Sequence, residues 1–118
     1  MKLCNVEVGP DQPLFLLAGP DTLEAEGMCL DVAGHLKELS EELGFLYVFK
    51  GSFDKANRTS LSGKRGLGIE KGLQVLQSVA RANDVPVLTD VHNEAQCAQA
   101  GEVVDVLQIP AFLCRQTD

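Results

Sequence analysis

No stretch of this 118-residue chain approaches the roughly 20 consecutive apolar residues that a membrane-spanning helix needs. Met1 to Val8 lacks a basic segment followed by an apolar one, so no secretory signal is expected. There is no CxxC pair. The four cysteines, Cys4, Cys29, Cys97 and Cys114, stand far apart, which argues against a zinc cluster and reads as reduced thiols in a cytoplasmic setting. Repeats and low-complexity tracts are also missing. Positive charge is in short supply: 10 Lys and Arg face 17 Asp and Glu, giving a net charge of -7. That balance argues against nucleic acid as a principal partner.

What is present is an ordinary globular composition, 45% hydrophobic, enough for one small domain with a core. The few cations are unevenly placed. Six of the ten lie between Lys50 and Lys71: Lys50, Lys55, Arg58, Lys64, Arg65 and Lys71. Only Asp54 and Glu70 oppose them there. Such an island suits either a solvated loop or the binding of an anionic small molecule, and charge alone does not choose.

The hydrophobic pattern predicts alternating strands and helices. Pro13–Ala18 is a short apolar run expected to be a strand buried on both faces. A helix is expected from Thr22 to Leu43, with Leu36, Leu39 and Leu43 as its buried stripe and Gly44 as its C-terminal cap. A second strand covers Phe45–Phe49 and ends at Lys50. A long polar loop, Gly51 to Gly68, leads to a helix over Ile69–Ala82 with Leu73, Leu76, Val79 and Ala80 inward. Val85–Asp90 is a third strand, and Asn93 with Gln96 caps a short third helix. Val103–Ile109 is the fourth strand.

This β-α-β-α-β-α-β order implies an α/β fold with parallel strands and helical crossovers. An open doubly wound sheet is possible. A (β/α)8 TIM barrel fits better, because polar residues follow every strand end: Asp21, Lys50, Asp90 with His92, and Gln108. A complete barrel takes roughly 250 residues. Residues 1–118 are therefore expected to form a single partial barrel domain of about the first four β/α units, truncated at its C-terminus.

Three segments carry a resemblance. Phe49-Lys50-Gly51-Ser52-Phe53-Asp54-Lys55-Ala56-Asn57-Arg58-Thr59-Ser60, Thr89-Asp90-Val91-His92 and Gln108-Ile109-Pro110-Ala111-Phe112-Leu113-Cys114-Arg115-Gln116-Thr117-Asp118 closely resemble, in order, motifs of the 3-deoxy-D-manno-octulosonate-8-phosphate (KDO8P) synthases. Arg65-Gly66-Leu67-Gly68-Ile69-Glu70 is similar to a fourth. The resemblance implies a cytoplasmic transferase of lipopolysaccharide biosynthesis that condenses phosphoenolpyruvate with arabinose 5-phosphate and releases phosphate. It implies that Lys55 and Asp90 are catalytic. Lys50, Ser52, Asn57, Arg58, Thr59, Gln108 and Arg115 would bind the substrates, with Arg115 reaching into a neighbouring subunit of a homo-oligomer. Two phosphorylated substrates would explain the cationic island, with Arg as a bidentate fork and Lys as a compact charge. An alternative is a non-catalytic half-barrel that binds a phosphorylated metabolite or a full-length partner.

No cofactor is assigned, although the resemblance allows a divalent metal. Asp21 stands where the family carries Cys or Asn. Its spacing to Glu24 reads first as a helix N-cap, with a hard oxygen ligand for a metal as the alternative. The isolated chain is expected to be inactive, because other charge-neutralising residues implied by the resemblance have no counterpart in it.

Overall fold

The computed structural model describes residues 1–54 and 68–114. The chain opens with a hairpin, β1 (Lys2–Leu3) and β2 (Val6–Glu7), which the hydrophobic pattern does not predict. Its turn residues, Cys4 and Asn5, both have positive φ, 49° and 66°. That is the left-handed backbone of a two-residue turn matched to strand twist.

The body follows the predicted alternation. Strands β3 (Phe15–Ala18), β4 (Leu46–Lys50), β5 (Val87–Asp90) and β6 (Val106–Gln108) form one parallel sheet in the order β3-β4-β5-β6. Between them run α1 (Glu26–Leu43), α2 (Ile69–Asn83) and α3 (Glu94–Gly101), and a short α4 (Ala111–Cys114) follows β6. Helix α1 packs on α2, and α2 on α3. The core is a cluster of Leu23, Tyr47, Phe49, Phe53, Leu73, Leu76, Val79 and Val87 with smaller residues between the helices and the sheet.

Strand register sorts the residues onto two faces. Leu16 and Ala18 of β3 and Tyr47 and Phe49 of β4 face the helix-side core. The alternate positions, Leu17 paired with Val48 and Lys50 paired with Leu88, share the opposite face. Asp90 and Gln108, also paired, continue that face to the C-terminal edge.

Several expectations need correction. Helix α1 starts at Glu26 rather than Thr22, and its N-cap is Ala25 with no side-chain cap bond, so Asp21 does not cap it. The segment Thr22-Leu23 is claimed by another partner: Leu23 N–H donates to Ser52 O at 2.8 Å and Thr22 bridges to Ser52. A helix cannot begin where the backbone is already paired to a neighbouring segment. The buried stripe of α1 is Cys29, Ala33 and Ser40, with Leu36 partly covered, whereas Leu39 and Leu43 are 38% and 70% exposed. Strand β3 is not buried on both faces, since Phe15 and Leu17 are each 40% exposed at the sheet edge. The fourth strand starts at Val106 because Val103 and Val104 N–H both bond Ala100 O, closing α3.

Other expectations hold. Gly44 ends α1 with φ 76°. Leu73, Leu76 and Val79 are the buried stripe of α2. All four cysteines are free thiols. Outside these expectations, Lys37 of α1 donates to the carbonyls of Asn83 and Asp84, placing a cation at the negative end of α2. Asn93 Oδ1 accepts from Gln96 N–H at 3.0 Å, while Gln96 Oε1 accepts from His92 N–H at 2.8 Å. Replacing Asn93 by Ala removes the cap and should lower stability by about 1 kcal/mol, and Asn93→Asp should change it little. Urea unfolding followed by circular dichroism checks both, and equal losses would show that the cap contributes through something other than its oxygen.

Candidate functional site

Parallel strands bring their C-terminal ends to one edge, and the polar residues gather there. Lys50 closes β4, Ser52 follows it, Asp90 closes β5 and Gln108 closes β6. The loop after β4 is held tightly. Gly51 N–H donates to Leu88 O at 3.2 Å, and Thr89 Oγ1 donates to Gly51 O at 2.8 Å. A Cβ on Gly51 would meet the Leu23 side chain at 2.5 Å, so a glycine fits this buried turn where a larger residue would displace Leu23.

Asp90 is the hub. It is 8% exposed. Ser52 Oγ donates to its Oδ1, and His92 Nε2 lies 3.2 Å from its Oδ2. Ser52, itself 2% exposed, is therefore engaged with a carboxylate. The His92 ring stands edge-on to Phe53, centroids 6.0 Å apart at 89°. Reasoning from sequence missed this set of contacts, although Asp-x-His at a strand end carries a usable signal: residues two apart in extended backbone point the same way.

The remaining predicted site residues, Lys55, Asn57, Arg58, Thr59 and Arg115, lie outside the described residues, as does most of the cationic island. His35 lies exposed on α1, remote in sequence from this edge. Asp21 follows β3 at the same edge as Lys50. Among the described residues, no group of three or more His, Cys, Asp or Glu could hold a metal ion. Among the described residues, Asp90 joins Ser52 and His92 in one set of polar contacts.

Two cavities bear on the choice of site. One of about 390 Å³ adjoins the network, lined by Val91, His92, Asn93, Glu94, Cys97, Ile109 and Leu113. A larger one, about 490 Å³, lies at the opposite end of the strands among Cys4, Arg81, Asp84, Pro86 and Asp105. Its thiol is a poor nucleophile, because burial and then the nearby Asp105 carboxylate push the Cys4 pKa up. Asp105 there completes the sheet, accepting from Val87 N–H at 2.9 Å. The strand ends that carry Asp90 are the candidate site.

A parallel α/β sheet with convergent polar side chains at its C-terminal edge defines a class of protein that handles small polar molecules there. The chain belongs to the DAHP synthetase I family, whose pattern matches residues 2–118. Over all 118 residues it is 60% identical to a protein of Albidiferax ferrireducens, covering 41% of that relative. It is 59% identical to one from Dechloromonas aromatica, covering 42%, and 54% to one from Francisella tularensis subsp. holarctica, covering 43%. All three are named 2-dehydro-3-deoxyphosphooctonate aldolase. The chain thus spans about two-fifths of the length of these curated relatives. No helix among the described residues is long and apolar enough to cross a membrane.

Proposed function

We propose that this chain carries the N-terminal part of a KDO8P synthase, which joins phosphoenolpyruvate to arabinose 5-phosphate with release of phosphate. The observation that carries the reading is identity of 54–60% along the whole chain to relatives sharing one enzyme name. The site agrees with it. Lys50 supplies a cation, Asp90 a fixed acceptor and Gln108 an amide at adjoining strand ends. In the reaction the enol carbon attacks the sugar aldehyde, and water attacks the adjacent carbon. Such a site works by holding two anions in line and stabilising charge. Lys50 would meet phosphoenolpyruvate together with Lys55 and Gln108. Asp90, Asn57, Arg58 and Thr59 would meet arabinose 5-phosphate, whose phosphate group Arg115 would reach in a neighbouring subunit.

The proposal includes half of a (β/α)8 barrel, which the α/β fold with its four-stranded parallel sheet supports. Sequential strand order is what a barrel requires, whereas a doubly wound sheet reverses its order at a switch point. The sheet edges support further chain or subunits beside them. Phe15 and Leu17 on β3 and Leu107 on β6 are each 40% exposed, and open strand edges invite pairing. A homo-oligomer is part of the proposal. No observation favours the non-catalytic alternative.

Amide shifts on titration with phosphoenolpyruvate, then with arabinose 5-phosphate, test the reading. Changes should centre on Lys50, Asp90 and Gln108. Changes confined to the Cys4–Arg81 cavity would overturn it. The 118-residue chain by itself should release no phosphate from the two substrates above background. Release that Lys55→Ala abolishes would show the chain to be sufficient for catalysis.

A further inference from the structure

His92 follows the last residue of β5 by two positions. Val91 N–H donates to Gln108 O at 3.0 Å, so the ladder persists past Asp90 and the backbone between the two side chains stays extended. That brings His92 Nε2 to 3.2 Å from Asp90 Oδ2, with the two side chains 13% and 11% exposed. The opposite oxygen, Oδ1, takes the Ser52 hydroxyl. Away from water the Ser52–Asp90 hydrogen bond is stronger, and leaving it unmade is costly.

The tautomer follows from these partners. An ionised carboxylate only accepts, and a neutral imidazole donates from one nitrogen and accepts at the other. Nε2 lies against the carboxylate at 3.2 Å, where a ring hydrogen is attracted and a lone pair is repelled, which favours the hydrogen on Nε2. Nδ1 is buried and has no hydrogen-bond partner among the described residues. The ring packs at right angles to that of Phe53, and the backbone of His92 is held separately by its N–H bond to Gln96 Oε1. The order of groups also matters. In a Ser-His-Asp nucleophile system the imidazole stands between the other two. Here the carboxylate stands between Ser52 and His92, so the serine hydrogen goes to Asp90 and no base activates the hydroxyl.

We propose that His92 is a positioning residue for Asp90. As the Nε2–H tautomer, with its ring against Phe53 and its backbone held by Gln96, it holds the carboxylate in one orientation beside Ser52. The lone pairs that Ser52 and His92 leave over then present a fixed acceptor to the hydroxyls of a sugar phosphate. The sugar half of this proposal rests on the function proposed above, and the tautomer half does not.

Imidazole nitrogen spectra of the 15N-labelled chain test the tautomer half. Only His35 and His92 contribute, and exposed His35 serves as the internal reference. At about pH 8, above the usual imidazole range, His92 should show one tautomer with its hydrogen on Nε2. A hydrogen on Nδ1, or averaging like that of His35, would overturn the proposal. The sugar half is read from amide shifts in His92→Phe, which keeps a ring against Phe53 but loses the donor, and in His92→Gln, which restores a donor. His92→Phe should lose the arabinose 5-phosphate shifts at Asp90 while keeping the phosphoenolpyruvate shifts at Lys50. His92→Gln should recover part of the former. Equal loss of both ligands in His92→Phe would make the role merely structural. If the unmodified chain responds to neither ligand, the proposed function fails, and the nitrogen spectrum still decides whether His92 holds Asp90.

Discussion

Gly19→Ala should destabilise the chain by about 3 kcal/mol or more, an overpacking loss at the upper end of its usual range. A Cβ at this position would lie 1.9 Å from Lys50 O, 2.9 Å from Lys50 C and 3.2 Å from Lys50 N. All three are backbone atoms, so no side-chain rotation relieves the overlap. Relief requires β3 and β4 to part just beyond their last pair, Ala18 with Phe49. A domain of this size holds roughly 5–15 kcal/mol in all, so the loss is a large share. Gly101→Ala is the matched control, because nothing lies within 4 Å of its Cβ and it ends α3. That control should stay within about 1 kcal/mol of the parent. Urea midpoints of the two variants give the comparison, and equal midpoints would mean that β3 and β4 do not approach as described. The consequence reaches the site as well, since Lys50 is the residue that the intruding methyl displaces.

The same contact shows what the sequence could and could not convey. Gly19-Pro20 reads correctly as the end of a strand. Nothing local says that the glycine is required by a carbonyl thirty-one positions away. The strands and helices were legible because their apolar periods are local, as with Leu73, Leu76 and Val79 along α2. The start of helix α1 departs from its local pattern for the opposite reason. Asp21-Thr22-Leu23-Glu24 has cap spacing, but Ser52 captures Leu23 N–H, and long-range pairing overrides local propensity. Its stripe was misjudged because leucines outweigh small residues in a hydrophobicity count. Cys29 and Ala33 are what fit beneath the helix. Edge exposure of Phe15 depends on which strand lies beside β3, which no single strand encodes.

The site divides along the same line. Lys50, Asp90 and Gln108 were legible as polar residues ending apolar runs, a pattern with a physical cause in parallel sheets. Their connections were not. Ser52 read as a substrate contact, yet its hydroxyl is engaged with Asp90 across 38 residues of sequence. The capping role of Gln96 was legible through Asn93, but its side chain also fixes the backbone of His92, which ties a helix start to the site. Helix capping and site geometry are therefore coupled through one glutamine.

Phe53→Ala should cost about 3–5 kcal/mol, the range for emptying a buried aromatic site. Phe53 is 1% exposed and belongs to the core cluster although it lies in the loop after β4. Its carbonyl also accepts from Gly68 N–H at 3.0 Å, so the residue anchors the backbone on both sides of the polar loop. Phe53→Leu refills much of the volume and should cost about 1.5 kcal/mol or less. Gly72 sharpens the test. A Cβ on Gly72 would lie 2.4 Å from Phe53 Cβ and 3.3 Å from its Cα. Phe53→Ala keeps the Cβ, so the overlap persists and a Gly72 methyl cannot fill the cavity left by the ring. The Phe53→Ala, Gly72→Ala double variant should therefore be less stable than either single variant. Urea midpoints for the four proteins decide it. A double variant more stable than Phe53→Ala would mean that the loop collapses into the cavity and takes the Cβ of residue 53 away from α2. In that event the His92 ring would lose its edge contact by backbone movement as well as by deletion. Its nitrogen spectrum would then differ between the single and double variants, linking core packing to the orientation of Asp90.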